Sequence, residues 1–469
     1  MHAHACFPGC CIYRIFYLFK SRTVRVVKTI KKNLKKYLRH KAGPEQISAV
    51  SRLIPRSVLL KTQRDNLIRQ VRYCAEKSAY YREQFAEHGI DPLKVRGIED
   101  LAAIETPNKA VVERPYDFVC CPPQIAFETT GTKGRNKKIF FTNGEVNRAT
   151  SHIALSFTLY GLTPADRFVN SYNFSFWVPG VLHQKACEKF EAFCLPASKV
   201  APAEIYDRLE FYKINVLMGY PSLLVRLTEM ADANKRIPMK AVLCSSEPLP
   251  ERLREYMQEV WGCKVYMGYG GTEYCGGAGG ECVHQNGYHL NEMDQIVEIK
   301  DPDENGVGEI LLTTLNRECM PLIRYNIGDL GRMTTERCKC GLPTARIMEI
   351  AGRRDEKATI GSMDFLPVKA FDELLGHVPQ VTGDFQLKAY WEGRYQIMEL
   401  FYESDAADQD QVQKAIVASM KEHSPDIYKN YMLDMYKFRM TCVPPRSLRG
   451  DNVKLNRWVD IRRQQEKDM

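Results

Sequence analysis

The sequence predicts an α/β protein whose larger part is built on doubly wound sheets, and three observations carry that expectation. Between residues 150 and 265 strand-like and helical segments alternate, as βαβ units around a parallel sheet do. The strand-like runs Phe168-Val169-Asn170, Ala192-Phe193-Cys194-Leu195, Val216-Leu217-Met218 and Ala241-Val242-Leu243-Cys244 are short and read as buried. Two of them end in polar turns, Gly219-Tyr220-Pro221-Ser222 and Ser245-Ser246-Glu247-Pro248. Polar residues at the carboxyl ends of parallel strands are where such sheets bind ligands. Ser222 is expected to cap the helix that follows.

Length and charge set the limits. A chain of 469 residues holds more than one domain and has ample material for a core. Eleven Lys and Arg and no acidic residue precede Glu45, leaving 55 of the 66 basic side chains against 57 acidic ones. The body is therefore near neutral, which argues against a nucleic-acid partner. Sixteen cysteines scattered through a long chain without a signal peptide point to a reducing cytoplasm rather than a disulfide scaffold. No apolar run reaches the roughly 18 residues a membrane span needs.

In chain order, residues 1–55 form a basic extension. Val27, Ile30, Leu34, Tyr37 and Leu38 recur at helical spacing against lysines. Packing on the body with the lysines in water is the simplest arrangement. Residues 20–41 also suit an anionic membrane surface or a partner protein, which would make the chain peripheral to a membrane. From Leu59 a long helical pattern follows, with Leu67, Val71, Cys74 and Ala75 on one face and Gly89 as its stop.

Next comes Phe127-Glu128-Thr129-Thr130-Gly131-Thr132-Lys133-Gly134-Arg135-Asn136-Lys137-Lys138, between the strand ends Ile125–Phe127 and Ile139–Thr142. Its glycines allow close approach to a ligand. Its amides, threonine hydroxyls, Lys133 and Lys137 suit phosphate oxygens, although a solvated hairpin turn has the same composition. It is not a Walker loop, because Gly-Lys-Ser/Thr before a helix is absent. Further on stand Tyr269-Gly270-Gly271-Thr272-Glu273, Arg324-Tyr325-Asn326-Ile327-Gly328-Asp329, Gly352-Arg353-Arg354-Asp355, and Pro445-Arg446-Ser447 with Lys454 beyond it.

These stretches, in this order, resemble those of the adenylate-forming (AMP-binding) enzymes, which activate a carboxylic acid with ATP. Ser78 to Glu83, the Ile98-Glu99-Asp100-Leu101 step and Thr106-Pro107-Asn108-Lys109 resemble the opening of the phenylacetate–CoA ligase branch. The resemblance covers roughly residues 60–462. It implies a large domain over 56–354 and a small mobile α+β domain over 355–469, with Asp355 as the hinge. Thr129, Thr130, Gly131, Thr132, Lys133 and Gly134 would then hold phosphates. Ser246, Glu247 and Pro248 would lie beside the nucleotide, with Tyr269 on the adenine and Gly270 and Gly271 keeping the approach open. Thr272 would bond the α-phosphate and Glu273 would hold Mg²⁺. Asp329 would accept both ribose hydroxyls, Arg353 would contact the ribose, and Lys454 would complete adenylation. Lys133 and Asn136 stand where the family more often has Thr and Pro, and Val453 replaces a glycine.

The activity so implied is formation of an acyl-adenylate from ATP and transfer to coenzyme A. Delivery to an amine or a carrier-protein thiol, or a non-catalytic scaffold, are the alternatives. The aromatic-rich stretch Ser171 to Trp177 lies where the resembled branch places part of its acyl pocket, which implies an aromatic or apolar acid, unless those rings only pack. Finally, Cys282, Cys338 and Cys340 with His284 or His289 offer tetrahedral zinc ligands, with free, reduced cysteines in turns as the alternative, and no open coordination position is evident, so the expected role of a metal there is structural. Spacing does not choose between the histidines, and the oligomeric state is not legible.

Overall fold

The structure, a computed structural model, describes residues 51–469 apart from 130–135, 248, 250, 354–358, 361–363, 366–367, 382–383, 394, 433–436, 446, 449–456, 463 and 466–469. The basic extension before residue 51 therefore lies outside the described residues, as do the expected contacts of residues 20–41. Among the described residues no helix is long and apolar enough to cross a membrane.

The single helix expected from Leu59 to Gly89 is two. Arg56–Lys77 ends at Ser78, and Ala79–Glu87 starts there. Ser78 is extended, its hydroxyl accepts from the Tyr81 amide at 3.3 Å and donates to the Asp117 carbonyl at 2.9 Å. A side chain that satisfies an orphan amide lets the chain change direction without leaving it unpaired. Gly89 follows with φ +64°, a left-handed backbone that suits glycine.

Strands β1 (Ile125–Glu128) and β2 (Lys138–Phe141) form a separate antiparallel hairpin around residues 129–137, with Ile125 opposite Phe141. The main sheet has eleven strands. Its parallel half contains β3 (Arg167–Asn170), β4 (Phe193–Pro196), β5 (Val216–Gly219), β6 (Ala241–Ser245) and β7 (Lys264–Gly271). Helices Val178–Lys189, Pro202–Leu209, Pro221–Ala233 and Glu251–Trp261 connect these strands, so the predicted βαβ reading holds. The antiparallel half contains β8 (Gly276–Gly280), β9 (Tyr288–Leu290), β10 (Gln295–Lys300), β11 (Gly308–Thr314), β12 (Tyr325–Thr334) and β13 (Arg346–Arg353). Across the sheet the order is β10-β11-β12-β13-β9-β8-β7-β6-β5-β3-β4. The polarity of pairing changes at β7–β8, where the chain reverses.

Two cores cover this sheet. One lies around the parallel strands and buries Phe168, Leu217, Val242 and Trp261. The second joins Tyr81, Phe118, Phe141 and Tyr325 under the hairpin and the antiparallel strands. Strands β14 (Thr359–Ile360) and β15 (Asp364–Phe365) make a short pair. Beyond them β16 (Phe385–Glu392), β17 (Tyr395–Glu403), β18 (Lys437–Val443) and β19 (Trp458–Asp460) build a four-stranded sheet in the order β18-β17-β16-β19. Helices Val368–Gly376, Gln409–His423 and Pro425–Met432 cover it, and its own core includes Phe371, Leu387, Leu400 and Ile416. Trp391, near the end of β16, packs against the core of the parallel strands.

Ser222 does not cap its helix with its own side chain. Pro221–Ala233 begins after Tyr220, and the Glu247 carboxylate accepts from the Ser222 amide at 2.7 Å and from its hydroxyl at 2.9 Å. A carboxylate at a helix amino terminus satisfies free amides and meets the positive end of the helix dipole. Proline at the first helical position leaves Ser222 one residue too far along to reach back.

Candidate active site

Polar residues from separated parts of the chain meet where β7 leaves the parallel half of the sheet. Gly270 allows this. A Cβ there would sit 2.2 Å from the Gly276 carbonyl oxygen across the β7–β8 pair, so only glycine lets the two backbones approach. Thr272–Tyr274 then forms a 3₁₀ turn, ended by Cys275 in the left-handed region at φ 62°. That turn holds Thr272 and Glu273 in a buried position at the sheet edge.

Glu273 is the centre of the polar cluster. Its carboxylate pairs with the Lys137 ammonium and accepts the Tyr325 hydroxyl at 3.0 Å. Lys137 also donates to Asn108 Oδ1 and to the Tyr325 hydroxyl, both at 2.9 Å. Arg317 donates to the Glu273 carbonyl at 3.1 Å and pairs with buried Glu145 at 3.4 Å. Burial pushes the Glu273 carboxyl up, but Lys137 and Tyr325 together pull it below its usual range. Glu273 is therefore an anion with a matched cation, which is what a buried carboxylate needs.

A second pair stands beside the first. The Tyr269 hydroxyl donates to Asp329 Oδ2 at 2.7 Å, joining β7 to β12. Burial, with the neighbouring Tyr274 and the Asp329 charge, pushes the Tyr269 phenol well above its ordinary value and keeps it a donor. Asp329 is opposite Arg353 in the β12–β13 register. Ser246, at the end of β6, has φ 77°, a strained position for a residue with a side chain.

A cavity of about 1160 Å³ opens beside these groups. Thr129, Lys137, Ser246, Tyr269, Gly270, Gly271, Thr272 and Glu273 all line it, along with Asn108 and Gly328. Its walls continue past Tyr172, Trp177, Leu182 and His183. Glu247, expected beside a nucleotide, has its carboxylate engaged on Ser222 and does not line this space. Thr130, Gly131, Thr132, Lys133, Gly134, Pro248, Asp355 and Lys454 lie outside the described residues, and for Arg353 only the backbone is described.

Lys137 was expected only as a phosphate-facing charge, and Asn108, Tyr325 and Arg317 escaped the sequence reading as site residues. Lys137 and Asn108 stood inside segments already singled out, and Tyr325 inside the stretch that ends at Asp329. Only their convergence on Glu273 shows what they do. Arg317 had no signal in the sequence at all.

The cysteine–histidine group also assembles. Donor atoms of Cys282, His289, Cys338 and Cys340 all lie within 4.8 Å of one another. Cys282 Sγ is 3.8 Å from Cys338 Sγ, and Cys340 Sγ is 3.3 Å from His289 Nε2. His289 Nδ1 meets Thr344 Oγ1 at 2.9 Å, which fixes the ring and turns Nε2 toward the thiols. Backbone amides of His284 and Leu342 each donate to a sulfur, Cys282 and Cys340 respectively, at 3.5 Å. Hydrogen bonds from Cys340 and His289 draw the Cys282 thiol down, while Cys340 beside it is pushed up. Three sulfurs and one imidazole are a donor set suited to zinc, with no position left open. His284 is absent from the group. Two residues after Cys282, it supplies its amide to that sulfur.

The chain is similar to several known proteins. The AMP-binding enzyme family matches residues 125–313. The phenylacetate–coenzyme A ligase of Thermus thermophilus is 27% identical over 440 residues, covering 87% of this chain and 98% of that protein. The phenylacetate–coenzyme A ligase of Pseudomonas putida is 23% identical, covering 76% of this chain and 85% of its own length. Among solved structures, a 2-hydroxyisobutyryl-CoA ligase superposes with a TM-score of 0.69 at 21% identity, over 87% of this chain and 92% of that one.

Proposed function

We propose that this chain, an adenylate-forming protein of the phenylacetate–CoA ligase type, joins a carboxylic acid to coenzyme A in two half-reactions at the cavity above. In the first, a carboxylate oxygen attacks the α-phosphorus of ATP and the bond to pyrophosphate breaks. In the second, a thiolate attacks the acyl carbon and AMP leaves. The observation that carries this reading is the meeting of the Lys137–Glu273–Tyr325 cluster with the Tyr269–Asp329 pair beside one cavity, which Lys137, Glu273 and Tyr269 line.

Each described group has a task that its chemistry allows. Asp329 accepts the ribose hydroxyls, a charge-assisted contact that two adjacent donors can share. Tyr269 offers a ring face to adenine, and Gly270 and Gly271 leave the backbone open beside it. The Thr272 hydroxyl donates to the α-phosphate. Lys137, held by Asn108 and Tyr325, places a positive charge where negative charge grows in the transition state. Glu273 is the group to hold Mg²⁺, which when bound would neutralise phosphate charge. Residues 130–134 and Lys454 are assigned to the phosphates and the reacting carboxylate on their family positions. Arg353 is assigned to the ribose, and rotation of residues 355–469 about Asp355 to the exchange of half-reactions. We assign Zn²⁺ to Cys282, His289, Cys338 and Cys340, where it would hold β9 to the β12–β13 connection.

The test is acid-dependent pyrophosphate release by the full chain with ATP and Mg²⁺, over a panel of aryl and alkyl acids, followed by mass spectrometry for the CoA thioester. Pyrophosphate without thioester would redirect the acceptor to an amine or a carrier thiol. No acid-dependent pyrophosphate from any member would sink the assignment.

A further inference from the structure

The wall of the cavity beyond the Glu273 cluster is mostly apolar, with Trp177, Val178, Leu182 and Tyr220 among its residues. A histidine stands in that wall. His183, on helix Val178–Lys189, lines the cavity and lies against the Tyr172 ring at a centroid distance of 4.4 Å. Its Nδ1 is 2.8 Å from the Pro179 carbonyl oxygen one turn earlier. A carbonyl only accepts, so Nδ1 carries the proton. In a neutral imidazole that leaves Nε2 as a bare acceptor. Burial drives the ring's pKa down to about 4, so the neutral form is the one present near pH 7. Among the described residues Nε2 has no hydrogen-bond partner, and Tyr172 closes one side of the ring with its own hydroxyl already accepting from Ser245 Oγ at 2.7 Å.

We infer that His183 is a specificity-determining residue, and that its Nε2 selects carboxylic acids carrying a hydroxyl or amino hydrogen-bond donor on an otherwise apolar body. An acid lacking a donor leaves the acceptor desolvated and unpaired, which is a larger loss than forgoing one contact in water. A site that satisfies a substrate hydroxyl discriminates against the analogue without it far more strongly than an apolar pocket discriminates by size. The inference rests on the acid-ligase reading and names its substrate class.

The experiment compares matched acids of one carbon skeleton, phenylacetate with its ring-hydroxylated forms and octanoate with hydroxyoctanoates. Acid-dependent pyrophosphate release is measured with the full chain, for wild type, His183→Leu and His183→Gln. The expected result is a preference of at least about tenfold in kcat/KM for a hydroxylated member of one pair. His183→Leu should collapse that ratio by raising activity on the plain acid relative to its partner. His183→Gln, which keeps an acceptor at a shifted position, should change the ratio while folding like wild type. Equal use of both members by the wild type overturns the inference without touching the ligase assignment, and so does a preference that survives both substitutions. Failure of every acid to release pyrophosphate overturns the ligase assignment and this inference with it.

Discussion

The Lys137–Glu273 contact is the most informative pair of residues in the molecule. Both side chains are largely buried, so removing the cation strands a carboxylate in a poorly solvated place. Lys137→Met should therefore lower stability by on the order of 3 kcal/mol, and the double change Lys137→Met with Glu273→Gln should recover part of it. Chemical denaturation of the three proteins checks this, and equal stability of single and double variants would contradict it. Adenylation should fall about a hundredfold or more in both, on the proposed role of Lys137 as the charge facing the phosphates. Asp294 gives a pH signature of its own. Burial would raise its carboxyl, but His152 at 3.0 Å holds it down to about 2. A depressed folded pKa contributes stability that is complete above the unfolded value near 4 and is lost as pH falls toward about 2. Acid titration of the unfolding midpoint should thus show a steeper loss below about pH 4 in wild type than in Asp294→Asn. At this scale the sequence was legible where chemistry is local, as at Tyr269, Thr272, Glu273 and Asp329. It was silent where a residue's role is to touch others far along the chain, as Arg317 does with Glu145 and Glu273.

Among elements, the β7–β8 pair fixes the site's shape, and the cysteine–histidine group gathers side chains from separate parts of the sheet. Gly270→Ala would drive a methyl group into the Gly276 carbonyl, a backbone atom that cannot step aside. The expected outcome is loss of both folding yield and nucleotide binding, read by circular dichroism and by thermal shift with ATP; a well-folded, active variant would contradict the crossing described. The thiol cluster predicts one tightly held zinc per chain by elemental analysis. Cys338→Ser should lose that metal and lower the thermal midpoint by several degrees, since a structural site contributes its binding energy to the fold. Turnover of the protein still folded should change little. Ser78 shows why element boundaries were harder to foresee than element types. The apolar spacing runs straight through residue 78, and only the Asp117 carbonyl, distant in sequence, turns a helical serine into a cap. The choice of His289 over His284 has the same origin. Both are two or more residues from a cysteine, and it is the pairing of β9 with β13 that brings one of them to the sulfurs.

For the whole molecule, the alternation of strands and helices was enough to foresee the parallel half of the main sheet. The antiparallel half was not foreseen strand by strand, because its partners are set by long-range pairing rather than by local pattern. Nucleotide binding should be visible as a global effect: ATP at a hundred times its dissociation constant adds about 2.7 kcal/mol to the folded state. Thermal midpoint should rise accordingly in wild type and much less in Asp329→Asn, and an unchanged response in that variant would remove Asp329 from the nucleotide site. The small carboxyl-terminal sheet carries its own core, so its reorientation need not disturb the other two. One feature of its surface then acquires a use. Trp391 is one of only four tryptophans in the chain, and its indole leans on the core of the parallel strands. Any turn of the small sheet would lift that indole into water and redden its emission. Were residues 355–469 to rotate about Asp355 as proposed, that indole would be a built-in optical reporter of the rotation, readable in a stopped-flow instrument without a label.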